Sequence, residues 1–238
     1  MEHIIILKEE EFLYLASIYG IKEALSVKQN TFIRDSKYTL VSLLSQGILQ
    51  LTDDYEKSVE EGKKPTLQVT NPFAQIFRDM KEATHTMVVT SSDGKGSCFY
   101  LSNKQIICFE YCDENRIRLA QIMDPAEETL TLFEEDEKAV VMEKLMEALE
   151  EREYLPELME DEEIQAMHSM SDIQEDIENN KRTPMVTLTY YKGKELLGIQ
   201  DVFRSGVSFV IRYSAREDIG YRFYTKEEVI QTFKEIEQ

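Results

Sequence analysis

No apolar run in this chain approaches the roughly 20 residues that a membrane-spanning helix needs, so membrane insertion is not expected. Cysteine is scarce, and an odd number, three, gives no disulfide framework. Cys98, Cys108 and Cys112 lack a CxxC-like spacing and a fourth ligand, so they read as buried free thiols rather than a zinc site. Histidine is as scarce, and none of His3, His85 and His168 has a second ligand-type residue at metal spacing. Cations are outnumbered, 27 Lys and Arg against 46 Asp and Glu, for a net charge of -19. That counts against DNA or RNA as the main partner, because such affinity rests on cationic neutralisation of phosphates. HExxH, GxSxG and Walker patterns are missing, and so is the Asp-x-Asp-x-Asp-Gly calcium loop. No catalytic residue, metal or cofactor is expected, and the chain reads as a non-enzyme. Met1 to Leu7 lacks the basic start and long apolar stretch of a signal peptide, so the cytoplasm is the expected compartment.

What is present is a pattern written twice. Met87–Thr90, Cys98–Leu101, Gln105–Tyr111 and Arg116–Ile122 read as four strands, followed by a helix start at Asp124-Pro125. Met185–Tyr191, Glu195–Ile199, Val207–Tyr213 and Tyr221–Phe223 repeat the plan, followed by a capping box at Thr225. The fold class is therefore α+β. Its centre is an antiparallel sheet built from two pseudo-symmetric β-meander-plus-helix halves, flanked by helical bundles. Residues 1–133 form the first half, 134–182 an acidic helical insert and 183–238 the second half, all within one compact domain.

Ahead of the first meander, Ile4–Leu7 reads as a strand and Glu9–Tyr19 as a helix with Phe12, Leu15, Ala16 and Tyr19 on one face. Gly20 stands where a left-handed residue ends a helix. Tyr38–Gln46 repeats the device, with Leu40, Val41 and Leu44 as its face and Gly47 as its stop. Thr66–Val69 reads as a short strand and Pro72–Lys81 as a helix. In the insert, Val141, Leu145 and Leu149 form a helical stripe beside Met142 and Met146, a second helix runs from Pro156 to Met167, and Ser169–Arg182 reads as a loop or frayed helix end. Two readings of this acidic segment stand: a solvated face of a helical pair, or a partner-binding pair whose methionines adapt to an apolar surface.

The opening Ile6–Ala16 segment ending at Gly20, the Tyr38–Leu49 segment, and the strand-turn-helix endings Arg116–Phe133 and Tyr221–Ile236 together resemble the EspG family of type VII (ESX) secretion chaperones. The resemblance covers nearly the whole chain and is one of pattern. It implies a cytosolic, non-catalytic protein that binds the helical tip of a secretion substrate and keeps it soluble for export. The family's contact regions fall here on the Ser92–Gly96 loop, with Ser92, Asp93, Gly94 and Lys95, and on the Tyr154–Met170 bundle, with Leu155, Leu158, Met159, Ile164 and Met167. The apolar five read equally as packing within the protein's own helices. A Lys- and Glu-rich composition, poor in Ala and Gly and without Trp, looks like that of a low-GC Gram-positive bacterium. The implied clients there are LXG-type or WXG-like helical proteins rather than PE–PPE pairs.

Two rivals remain. Acidity and the lack of catalytic motifs also fit an immunity protein that neutralises a secreted toxin. Helix, turn and helix followed by Leu43–Leu51 resembles a winged-helix passage, though the charge opposes DNA.

Overall fold

The computed structural model describes residues 3–21, 36–52, 60–62, 66–102, 105–112, 116–122, 134–156, 170–180, 182–205, 208–215 and 218–237. In chain order the strands are β1 (His3–Lys8), β2 (Leu49–Leu51), β3 (Leu67–Val69), β4 (His85–Ser91), β5 (Gly96–Leu101), β6 (Ile106–Tyr111), β7 (Arg116–Gln121), β8 (Val186–Lys192), β9 (Glu195–Ser205), β10 (Ser208–Ala215) and β11 (Asp218–Phe223). The helices are α1 (Glu9–Tyr19), α2 (Ser36–Ser45), α3 (Phe73–Glu82), α4 (Glu134–Glu151), α5 (Met170–Asn180) and α6 (Lys226–Glu237). The chain is α+β, as its pattern implies.

Nine strands make one antiparallel sheet in the order β1-β7-β6-β5-β4-β8-β9-β10-β11, and β2 and β3 form a separate pair. The two meanders meet at their first strands, with Val88 of β4 opposite Thr189 of β8. Strand order is therefore mirrored about that seam, and β1 extends the first half by pairing with β7.

Alternation along the strands sorts side chains onto two faces. The first face carries Met87, Val89, Phe99, Cys108, Leu188, Tyr190, Val202 and Ile211. Two helices cover it: α4 through Val141, Met142, Leu145, Met146 and Leu149, and α6 through Val229, Phe233 and Ile236. α4 thus holds in the first half the place that α6 holds in the second, and Lys226 Nζ lies 2.6 Å from Glu150 Oε1 between them. Gly198 lets α6 come close, since a Cβ there would sit 2.6 Å from the Ser214 carbonyl and 2.8 Å from Ile236. Thr225 caps α6, its hydroxyl accepting the Glu228 amide at 3.1 Å.

The second face is covered unequally. Over the first half, α1, α2 and α3 bury Ile5, Leu7, Cys98, Tyr100, Ile107, Phe109, Ile117 and Leu119. α1 ends at Gly20, whose φ of 71° is left-handed, as expected. Its Phe12, Leu15 and Ala16 are buried, and Tyr19 stacks on Phe77 with centroids 5.7 Å apart. Buried Glu11 joins α1 to α2 by accepting Ser42 Oγ and Gln46 Nε2, each at 2.7 Å. On α2 the expected face holds in part: Leu40 and Leu44 pack against this core, but Val41 is 62% exposed, while Leu43 and Thr39 are buried. Four apolar residues crowd Leu40 to Leu44, so this short helix has no unique stripe, and contact with α1 selects the side.

Over the second half, α5 is the one described helix that packs on the second face, through Ile173 and Ile177 against Phe203 and Val210, with Tyr221 and Phe223 at its side. Ser169–Arg182 therefore contains a helix with a packed face rather than a loop or frayed end. The second helix expected over Pro156–Met167 lies outside the described residues, apart from Pro156 itself. Cysteine expectations divide. Cys98 and Cys108 are buried free thiols on opposite faces, and Cys112 is exposed because β6 ends before it. Burial pushes the Cys108 thiol well up from its ordinary value, with Glu110 adding to the effect.

α3 buries one acid. Asp79 is buried, Oδ1 accepts Gln75 Nε2 at 2.7 Å, and Oδ2 has no hydrogen-bond partner among the described residues. Burial raises its carboxyl above the usual carboxylate range, and the Gln75 bond opposes this. A raised native value favours the protonated form, so this group's contribution to stability grows as pH falls through the raised value and levels off near the unfolded one, about 3.9. Asp79→Asn is expected to melt at a higher temperature than the parent at pH 7, with the gap closing toward about pH 4. A gap that stays constant over thermal melts across that range would refute the assignment.

Candidate functional site

Several features gather at the end of the sheet where β4 runs into β5. Four residues, Ser92 to Lys95, make the turn, and all are exposed. Gly94 takes a φ of 86°, which a side chain would oppose. Ser91 N donates to the Lys95 carbonyl at 2.9 Å, and Gly94 N to the Ser91 carbonyl at 3.0 Å. Asp93 organises the inside of the turn. Its Oδ1 accepts the Ser91 hydroxyl and, at 3.1 Å, the Lys95 amide, while Oδ2 lies 3.4 Å from Lys95 Nζ. The Ser91 hydrogen bond, then the Lys95 amide, hold the Asp93 carboxyl below the usual carboxylate range. Ser92 N donates to the Met185 carbonyl at 2.8 Å, tying the turn to the chain entering β8. The result is a small turn with a fixed backbone, presenting one acid and one base to solvent.

Beneath it lies a polar cluster that pins the C-terminal end of α4 to the sheet. Glu110 of β6 accepts Arg118 Nη1 at 2.9 Å, Arg152 Nε at 2.9 Å and Ser97 Oγ at 3.0 Å. Ser97 Oγ also lies 2.6 Å from Tyr154 OH, and Arg152 Nη1 donates to the Ala148 carbonyl at 3.2 Å. Burial raises the Tyr154 hydroxyl above its ordinary value, and the Ser97 bond opposes that. The sequence reading did not pick out this cluster. Its signal was the cross-strand pairing of Ser97 with Glu110, two polar residues directly opposite on otherwise apolar strands.

The expected partner-binding residues are distributed as follows. Ser92, Asp93, Gly94 and Lys95 stand together on the exposed turn. Leu155 is 7% exposed and packs in the core with Tyr154, so its surface is already used within the protein. Leu158, Met159, Ile164 and Met167 lie outside the described residues. Among the described residues, no group of three or more His, Cys, Asp or Glu could hold a metal ion. No described helix is long and apolar enough to cross a membrane.

No protein-family model matches this chain, and no curated protein matches it. Its architecture does have a solved counterpart. The chain is similar to the Mycobacterium tuberculosis type VII secretion system chaperone EspG5, whose structure is known in complex with a PE25–PPE41 dimer. The TM-score is 0.52 at 11% sequence identity, over 98% of this chain and 95% of that one. The two proteins share a fold. The likeness extends through both meanders and their helices, since so little of either chain is left out.

Proposed function

We propose that this protein is a non-catalytic chaperone or adaptor of type VII secretion, which binds the helical tip of a secretion substrate in the cytoplasm and keeps it soluble for export. The observation that carries the reading is the fold shared with EspG5 over almost the full length of both chains. That protein is seen holding a PE25–PPE41 dimer. Here the client is an LXG- or WXG-like helical protein, a choice that rests on the Lys- and Glu-rich, Trp-free composition. The Ser92–Lys95 turn supplies polar contacts, and the segment carrying Leu158, Met159, Ile164 and Met167 supplies apolar ones. A specific complex buries roughly 800 Å² per partner, which one helical tip can supply. The charge of -19 disfavours self-association while an apolar client is held.

The test is co-expression with small helical proteins encoded beside the gene, followed by size exclusion. A client that is insoluble alone and co-elutes with the chaperone is expected. Replacing Asp93 with Ala and Lys95 with Glu together is expected to weaken that complex about tenfold or less, because exposed charges contribute modestly. If no helical neighbour co-elutes or gains solubility, the reading fails. Growth rescue by binding a toxin's catalytic domain would instead identify an immunity protein.

A further inference from the structure

We propose that Ser97, Glu110, Arg152 and Tyr154 are positioning residues for client binding: through them the C-terminal end of α4 holds the Ser92–Lys95 turn in the geometry that meets the client. The inference rests on the chaperone reading and deepens it, since it names what keeps the polar contact turn in place.

The contacts run in one direction. The Ser97 hydroxyl donates to Glu110 Oε1 at 3.0 Å, which leaves its oxygen as the acceptor for Tyr154 OH at 2.6 Å. Burial raises the Tyr154 hydroxyl above its ordinary value, so the donated proton stays in place at neutral pH. Glu110 also accepts Arg152 Nε and Arg118 Nη1, each at 2.9 Å. Arg152 and Tyr154 follow directly on α4, and Arg152 Nη1 reaches back to the Ala148 carbonyl at 3.2 Å. One carboxylate thus joins β5, β6 and the end of α4 through charge-assisted hydrogen bonds, the stronger kind.

The grip falls beside the turn. Ser97 stands two residues past Lys95, and the intervening Gly96 has no side chain, so Ser97 is the first residue of β5 whose side chain a neighbour can hold. Across the hairpin it pairs with Val89, two residues before Ser91, and Ser91 N donates to the Lys95 carbonyl at 2.9 Å. Within the turn, the Asp93 carboxylate accepts the Lys95 amide at 3.1 Å and fixes the local shape. Beyond the strand pairing, the turn is seated from two sides. Ser92 N donates to the Met185 carbonyl at 2.8 Å on the β8 side, and the Ser97 cluster acts on the β5 side. Asp93 and Lys95 are exposed charges, and a turn already seated presents them to a partner with little further ordering to be done on binding.

The test uses the full chain and a WXG-like helical protein encoded beside its gene, with affinity measured by calorimetry. Tyr154→Phe removes one hydroxyl and keeps the ring in the core. It is expected to weaken binding about three- to fivefold in the parent, and to add nothing once Asp93→Ala and Lys95→Glu are present, because it acts through the turn. Ile76→Val, a buried change in α3, is expected to leave affinity unchanged. A Tyr154→Phe loss of the same size in both backgrounds, or none in either, overturns the inference while the chaperone reading stands. Amide exchange supplies a readout without a client. In Tyr154→Phe the amides of Gly94 and Lys95 are expected to quicken at least threefold, while that of Gly193, in the turn between β8 and β9, keeps its rate. Unchanged rates at Gly94 and Lys95 again mean that the cluster does not seat the turn. A parent that binds no helical neighbour sinks the chaperone reading and the client role with it, whatever the exchange shows.

Discussion

Phe109→Ala is expected to cost about 3–5 kcal/mol, the usual range for removing a buried phenylalanine, and to lower Tm by roughly 6–20 °C. Phe109 is 1% exposed at the centre of the first-half core. Its ring meets Phe12 edge-on at 5.2 Å and Tyr111 at 5.5 Å, and Phe12 in turn lies 5.6 Å from Phe77. One ring of β6 therefore holds α1 directly and α3 through Phe12. Truncation removes the transfer energy of the ring and leaves a cavity that two helices and a sheet cannot close. Ile219→Ala gives the internal contrast. It lies on the same transverse row of the sheet, which runs from Phe109 through Cys98, Val88, Thr189, Ile199 and Ser214. At 59% exposure its truncation is expected to change stability by about 0.5 kcal/mol or less. Chemical denaturation of both variants tests the pair. Equal losses would mean that the row is covered evenly from edge to edge.

The same row explains what could be read from the chain and what could not. Period-two alternation made the meanders legible, and the α1 stripe was legible because Phe12, Leu15 and Ala16 recur at helical spacing. α5 escaped notice because Met170–Asn180 carries two buried apolar residues, Ile173 and Ile177, in an otherwise polar run. Such a helix is stable only against a partner surface, Phe203 and Val210, that sequence reasoning had no means to place beside it. β9 proved longer than Glu195–Ile199 for a related reason. Gln200 breaks the apolar alternation, yet it is fully buried because its amide donates to the Val229 carbonyl of α6 at 3.1 Å. Its Oε1 has no hydrogen-bond partner among the described residues, so the amide alone is held, and a polar residue held by a distant helix looks like a loop residue until the helix is in place. At the candidate site, the Asp93-Gly94 turn was legible from its residue types. The burial of Leu155 was not, since an apolar helical residue serves a core and a partner equally well.

Glu110→Ala is the second large effect, expected at about 2–3 kcal/mol, somewhat below the 3–5 found when a fully buried pair is broken. The discount follows from exposure: the Glu110 side chain is 17% exposed and that of Arg118 is 29%, although that of Arg152 is only 10%. The carboxylate is the shared acceptor of two guanidinium groups and the Ser97 hydroxyl, and Ser97 hands the connection on to Tyr154. Alanine removes a negative charge on which both guanidinium groups converge, so the attraction that held Arg118 and Arg152 side by side is lost. The consequence is local before it is global. Arg152 and Tyr154 are the last anchors of α4, and they stand under the turn that presents Asp93 and Lys95. Amide exchange is therefore expected to quicken over residues 149–155 and to stay unchanged in α1. Glu110→Gln separates charge from hydrogen bonding, since it retains an acceptor for Arg152 but no longer neutralises either arginine. An intermediate loss is expected for it. If Glu110→Gln is as stable as the parent, hydrogen bonding alone pins α4. If Glu110→Ala changes neither Tm nor exchange at 149–155, the cluster does not hold this end of the sheet at all.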